Sequence, residues 1–161
     1  MNNVSDGRKT TPSNSLVLVY FLLVVIGVGF LLGFLFRPDD FYAGLVKPFF
    51  NPPNVVFGPV WTALYLMIAV AGWRVWRVAP KSIAMLLWGG QMALNWLWTP
   101  VFFMAHNIIG ALIVILFLLV TILLFIIRAP KHDKIAAWLF IPYALWVGFA
   151  TILNAAIVVL N

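Results

Sequence analysis

The 46 residues from Ser82 to Ile127 contain no formal charge, and this run limits the fold more than any other feature of the chain. As one continuous α-helix it would extend about 69 Å at ~1.5 Å per residue, more than twice the ~30 Å hydrocarbon core of a bilayer. It must therefore fold back on itself. The triplet Ala105-His106-Asn107, shortly before Gly110, is the natural turning point and gives spans near 82–104 and 108–127.

Three further uncharged runs flank this pair: Leu16 to Phe36, Val55 to Trp73 and Ile135 to Leu160. The first competes with a signal peptide because Arg8 and Lys9 precede it. An h-region is usually ~7–15 residues, however, and no A-x-A site follows, so a retained span is expected. Apolar residues make up 65% of the chain and charged ones 9%, too little polar surface to cover a water-soluble globule. The expected fold class is an all-α membrane protein, a single bundle of five transmembrane helices over residues 16–161. Residues 1–15, polar with nothing to bury, are expected to form a disordered tail.

The ten Lys and Arg report topology. Arg8, Lys9, Arg74, Arg77, Lys81, Arg128, Lys131 and Lys134 fall on one side of the five-span scheme, against Arg37 and Lys47 on the other. By the positive-inside rule the amino terminus is expected in the cytoplasm and the carboxyl terminus outside, in a multi-pass protein of a bacterial cell membrane. Basic residues that punctuate apolar runs form no single exposed face, so a nucleic-acid partner is not expected and membrane lipid is.

Catalytic and metal sites are not expected. The chain has no Cys and no Glu, which excludes disulfides, thiol nucleophiles and thiolate metal sites. His106 and His132 lie in loops on opposite sides of the membrane and read as solvated. Asp39 and Asp40 read as a polar start for a short helix over Phe41 to Val46. No ionisable Asp, Glu, Lys or Arg lies within the spans, which argues against an ion-coupled pump.

Polar and aromatic stripes remain. Trp88, Gln91, Asn95, Trp98 and Phe102 recur at steps of three and four on one face, as do Trp61, Tyr65, Ile68 and Gly72, and Tyr143, Trp146, Ala150 and Asn154. Amides in hydrocarbon need partners, so these faces turn inward, either joining helices or lining a ligand cavity. Trp61, Trp73, Trp76 and Trp138 are assigned to interfacial belts. Gly29 and Gly33 form a GxxxG pattern for close helix packing, and the span from Ile108 to Ile127 reads as mostly lipid-facing. The segment 37–54 holds four prolines and four aromatic residues, a composition that suits either a lid over a cavity or a segment resting on headgroups.

Four ordered motifs carry a resemblance: Phe41-Tyr42-x-x-Leu45-x-Lys47-Pro48-Phe49-Phe50-Asn51-Pro52-Pro53, Val56-Phe57-Gly58-Pro59-Val60-Trp61-Thr62-x-Leu64-Tyr65, Gln91-x-x-Leu94-Asn95-x-x-Trp98-Thr99-Pro100-x-Phe102-Phe103, and Pro142-Tyr143-x-x-Trp146-x-x-Phe149-Ala150-Thr151-x-Leu153-Asn154. Together they resemble the TspO/MBR family of translocator proteins and peripheral-type benzodiazepine receptor homologues. The resemblance implies a tetrapyrrole-binding cavity for protoporphyrin IX or haem, held as ligand with no cofactor required, and frequent homodimers. Sterol-like or benzodiazepine-site ligands occur in some members, although no Tyr, Lys or Arg follows Asn154 here to supply the sterol pattern. By motif position Tyr65, Asn95 and Trp146 match pocket residues, while Phe41, Phe49 and Phe50 stand where Trp is frequent. The expected ligand-binding set is Phe41, Lys47, Phe49, Phe50, Asn51, Tyr65, Gln91, Asn95, Trp98, Trp146, Ala150 and Asn154, with Lys47 or Arg37 meeting a ligand carboxylate. The expected role is a receptor or carrier in tetrapyrrole homeostasis or stress signalling. The alternative is a light- and oxygen-dependent porphyrin-degrading enzyme, which Phe41 and Phe50 disfavour and Trp146 permits.

Overall fold

The computed structural model describes residues 14–161. Most of the expected disordered tail lies outside the described residues, and Asn14 and Ser15 already belong to the first helix. The elements are α1 (Asn14–Leu35), α2 (Asp40–Gly44), α3 (Asn54–Val78), α4 (Ile83–Phe103), α5 (Ile108–Arg128), a 3-10 turn (Ala129–Lys131) and α6 (Lys134–Leu160), and no strand occurs among the described residues.

Local chemistry sets the helix starts. Asp39, Ser82, Asn107 and Asp133 each cap a helix by accepting a hydrogen bond from a backbone N–H three residues on, at Tyr42, Met85, Gly110 and Ala136. These side chains satisfy donors that the first helical turn leaves free. The α3 helix runs five residues beyond the expected end at Trp73, because an arginine does not stop a helix. Ala79 does, forced out of the helical region by Pro80 and sitting at φ −151°. The overrun matters, since it brings Arg74 to 2.9 Å from the Asp133 carboxylate at the start of α6.

Among the described residues α1, α3, α6 and the α5 segment through Lys131 are long and apolar enough to cross a membrane, four of the five spans expected. Gln91, Asn95, the indoles of Trp88, Trp96 and Trp98 and the Gly89-Gly90 pair lower the apolarity of α4, although it is 21 residues long. In the bundle α1 packs on α3, α3 on α6, α6 on α5 and α5 on α4, with α1 also touching α4. Hydroxyls inside the helices bond to their own backbones: Thr62, Thr121 and Thr151 donate to the carbonyls of Gly58, Phe117 and Val147, four residues back.

Two apolar clusters hold the bundle. The larger joins Val25, Ile68, Val75, Ile122, Phe125 and Phe140 at one end, and the smaller joins Phe102, Ala111, Leu153 and Ile157 at the other. Most of α5 stays open to the outside, as expected, with Ile113, Phe117, Val120 and Leu124 exposed, but the helix also contributes a buried stripe of Ala111, Ile115, Leu118, Ile122 and Phe125. A helix with apolar residues all round shows no periodicity from which to choose its buried face. The GxxxG pair also divides. A Cβ on Gly29 would enter the Tyr65 ring, whereas one on Gly33 would meet nothing, so only the first glycine permits the α1–α3 approach.

The candidate ligand cavity

A cavity of about 800 Å³ lies at the end of the bundle that carries the 37–54 segment. It falls within the ~300–1,000 Å³ range of small-molecule sites. Every long helix contributes wall. Phe30, Gly33 and Phe34 come from α1, Phe57, Trp61 and Tyr65 from α3, Trp98 and Phe102 from α4, Ile115 and Leu118 from α5, and Trp146, Ala150 and Asn154 from α6. Trp98 stacks on Phe102 with centroids 5.0 Å apart, Trp61 lies 5.3 Å from Tyr65, and Phe57 meets Trp146 edge-on at 5.8 Å. Flat π faces therefore surround the space, the lining that suits a large conjugated ligand.

The floor is polar and closed. Tyr65 donates its hydroxyl to Asn95 Oδ1 at 3.3 Å, Asn95 Nδ2 donates to the Tyr143 hydroxyl at 2.9 Å, and Tyr143 donates to Gln91 Oε1 at 3.0 Å. This relay links α3, α4 and α6 and pairs groups that would be costly alone in an apolar interior, although Gln91 Nε2 at its end is left without a partner. A second link follows nearer the mouth, where Trp98 Nε1 donates to Asn154 Oδ1 and Asn154 Nδ2 donates to the Ile108 carbonyl, at 3.2 and 3.1 Å. Trp146 Nε1 is buried with no partner, a free donor on a wall residue.

The 37–54 segment completes the mouth. Arg37, Pro38, Tyr42 and Asn54 line the cavity, and Arg37 carries its guanidinium 4.4 Å from the Phe34 ring centroid. Tyr42 packs edge-on against Phe103 at 5.6 Å, which seats α2 on the outer apolar cluster. Partial burial pushes the Tyr42 hydroxyl up, against a smaller opposing effect of Asn51.

The TspO/MBR family model matches residues 21–160. The chain belongs to the TspO/MBR family. It is 38% identical over 152 residues to the tryptophan-rich protein TspO of Archaeoglobus fulgidus, covering 92% of this chain and 99% of that protein. It is 36% identical over 129 residues to the tryptophan-rich sensory protein of Cereibacter sphaeroides, covering 80% and 82%. With the translocator protein of Homo sapiens it shares 37% identity over 118 residues, 70% of each chain.

Within this TspO/MBR fold the expected site residues separate into three groups. Tyr65, Asn95, Trp98, Trp146, Ala150 and Asn154 line the cavity together. Gln91 is fully buried but lies beneath it, reached only through Tyr143. Phe41, Lys47, Phe49, Phe50 and Asn51 stand off the cavity wall. Phe41 turns away to stack on His106 at 4.2 Å, Phe49 is fully exposed, and Phe50 packs on the outer cluster beside Phe149. Lys47 caps α2 by donating to the carbonyls of Ala43 and Leu45, with its ammonium 4.5 Å from the Tyr42 ring centroid. Asn51 Nδ2 is satisfied by the Pro52 carbonyl. The cation on the cavity wall is Arg37 instead, because the chain enters the mouth at residues 36–38 and has left it by Lys47.

Trp61 departs from its expected place, and His106 has a contact that the sequence does not show. Trp61 is a wall residue, not part of an interfacial belt; its phase with Tyr65 on α3 was the available signal. His106 is exposed in its loop as expected, but it also has a partner, its Nε2 lying 2.9 Å from Asp39 Oδ2 across 67 positions of chain. No local pattern encodes that pairing.

Proposed function

We propose that this TspO/MBR protein is an integral membrane receptor or carrier for a flat, hydrophobic, carboxylate-bearing ligand of the tetrapyrrole class, such as protoporphyrin IX or haem. The observation that carries this reading is the cavity itself, which joins indole and phenyl walls, an amide-phenol floor and one guanidinium at its mouth. A conjugated ring stacks between Trp61, Trp98 and Trp146 while a propionate turns outward to Arg37, leaving the low-dielectric floor to uncharged groups. In this arrangement α4 crosses the membrane as a fifth span, its amides turned inward to Tyr65 of α3 and Tyr143 of α6 and away from lipid. The amino terminus lies in the cytoplasm, the carboxyl terminus lies outside, and the protein works as a homodimer.

Titration of purified protein with protoporphyrin IX tests the reading, with quenching of tryptophan fluorescence as the readout. Saturable quenching that Trp146→Phe weakens supports it. Quenching that never saturates, or that is identical in Trp146→Phe and Trp138→Phe, overturns it, since Trp138 lies on the exposed outer surface. A second reading, light- and oxygen-dependent oxidation of the bound porphyrin, draws on the three wall indoles as oxidisable groups. It requires a new absorbing product on illumination in air and none in the dark.

A further inference from the structure

The 37–54 segment is fastened to the bundle at two polar points on either side of α2. At the first, Asp39 Oδ2 and His106 Nε2 stand 2.9 Å apart, and the Phe41 ring stacks on the imidazole at an interplanar angle of 23°. At the second, the Asn161 side-chain amide pairs with both backbone groups of Val46, accepting from its N–H at 2.9 Å and donating to its carbonyl at 3.1 Å. A third bond from Asn161 Nδ2 to the Ile157 carbonyl, at 2.8 Å, anchors that amide to α6. Between the two points lies Tyr42, and just before the first lie Arg37 and Pro38, all on the cavity wall. Whatever loosens these contacts therefore moves the mouth.

The first contact has a feature that a plain turn does not require. His106 sits at φ 51°, a left-handed backbone that glycine adopts freely and other residues adopt at a cost. The turn geometry alone favours glycine, so the imidazole is explained by its contacts. The pair is reachable by solvent, with side chains 45% and 42% exposed. Its neighbours in the turn, Met104, Ala105 and Asn107, are uncharged. The charged groups of the facing segment are Arg37, Asp39, Asp40 and Lys47, and among the described residues only Asp39 pairs with the histidine. Asp39 stays ionised, held low first by the Tyr42 N–H and then by His106, and of the two residue types histidine is the one that gains or loses charge near neutral pH.

We propose that Asp39–His106 and Val46–Asn161 are two clasps that position the 37–54 segment over the cavity mouth, and that the first loosens as pH rises through the imidazole range while the second is indifferent to pH. The proposal rests on the ligand reading above only for what the closed mouth retains. With the imidazole protonated, a charge-assisted hydrogen bond joins two opposite charges, and with it neutral only the weaker bond remains. Low pH therefore favours the closed mouth and high pH the open one.

Hydrogen exchange of the backbone amides in residues 40–46 tests this in the full chain in lipid nanodiscs, with rates corrected for the intrinsic pH dependence of exchange. Exchange is expected to be about two- to fivefold faster at pH 8 than at pH 6, the range that a half-exposed ion pair supports. Asp39→Asn keeps a good helix cap and removes the charge, and His106→Gly relieves the left-handed backbone and removes the imidazole; both should abolish the pH dependence. Asn161→Ala should speed exchange at both pH values and leave their ratio intact. A ratio that persists in both Asp39→Asn and His106→Gly, or an Asn161→Ala protein as protected as the parent, overturns the clasps. Protoporphyrin IX affinity measured in parallel should be higher at pH 6 than at pH 8. Should the exchange pattern appear while porphyrin binds at neither pH, the clasps stand and the ligand reading falls.

Discussion

Gly29→Ala is the most informative single substitution in this bundle, because its consequence follows from one contact. The new methyl group would occupy the space of the Tyr65 ring, and α1 and α3 cannot both keep their places. Overpacking of this kind costs about 1–3 kcal/mol. Displacing Tyr65 also loosens its 3.3 Å hydrogen bond to Asn95, and interhelical hydrogen bonds in membranes average ~0.6 kcal/mol. Alanine returns roughly 0.5–1 kcal/mol through better helix propensity. The net expectation is a loss of about 1–3 kcal/mol. Gly33→Ala is the internal control, since its methyl group meets open space and should cost nothing or stabilise slightly. Reversible unfolding in mixed detergent micelles measures both. In a Tyr65→Leu background the Gly29→Ala penalty should fall by more than half, which gives the coupling of the pair by a double-mutant cycle. Equal stabilities of Gly29→Ala and Gly33→Ala, or a penalty unchanged by Tyr65→Leu, would refute the close-approach reasoning.

Three further outcomes are expected. Tyr143→Phe removes the hydroxyl that joins Asn95 to Gln91 and leaves two buried amide groups short of a partner, so unfolding should become easier by about 1–3 kcal/mol, and Asn95→Ala should add less than its full cost on top. Arg37→Gln should weaken protoporphyrin IX by roughly fivefold, on the order of 1 kcal/mol, and leave its uncharged dimethyl ester unaffected, whereas Lys47→Ala should change neither, as competition titrations will show. Burial alone would raise the Asp133 carboxyl, but its bonds from Arg74 and the Ala136 N–H outweigh that and hold it below the usual carboxylate range. A depressed carboxylate stabilises the fold above its unfolded pKa, and that contribution disappears as pH falls below the ordinary carboxylate range through the lower folded value. Thermal melts should therefore lose stability on acidification in the parent and lose less in Arg74→Met.

The parts legible in the sequence are those with a local cause. The span limits near 82–104 and 108–127 agree with α4 and α5 to within a residue, since an uncharged run bounded by an Asn cap or a polar turn needs no distant partner to be read. The inward faces of α3, α4 and α6 were likewise set by phase, which is why Tyr65, Asn95, Trp98, Trp146, Ala150 and Asn154 meet in one cavity. Span counting was less secure at α4, where buried amides and indoles that serve the interior also lower the apolarity by which a span is recognised.

By itself the sequence determined an all-helical membrane protein of the TspO/MBR family and the faces of its polar helices, because run length, helical period and ordered motifs are properties of the chain read along its length. The tertiary structure alone decided which residues of the 37–54 segment reach the cavity. That segment has no period, and its course is set by contacts with partners far away in sequence: Phe41 and Asp39 on His106, Val46 on Asn161, Tyr42 on Phe103. Those contacts turn Arg37 to the wall and leave Lys47 to cap a helix, an outcome that depends on where α4, α5 and α6 end in space.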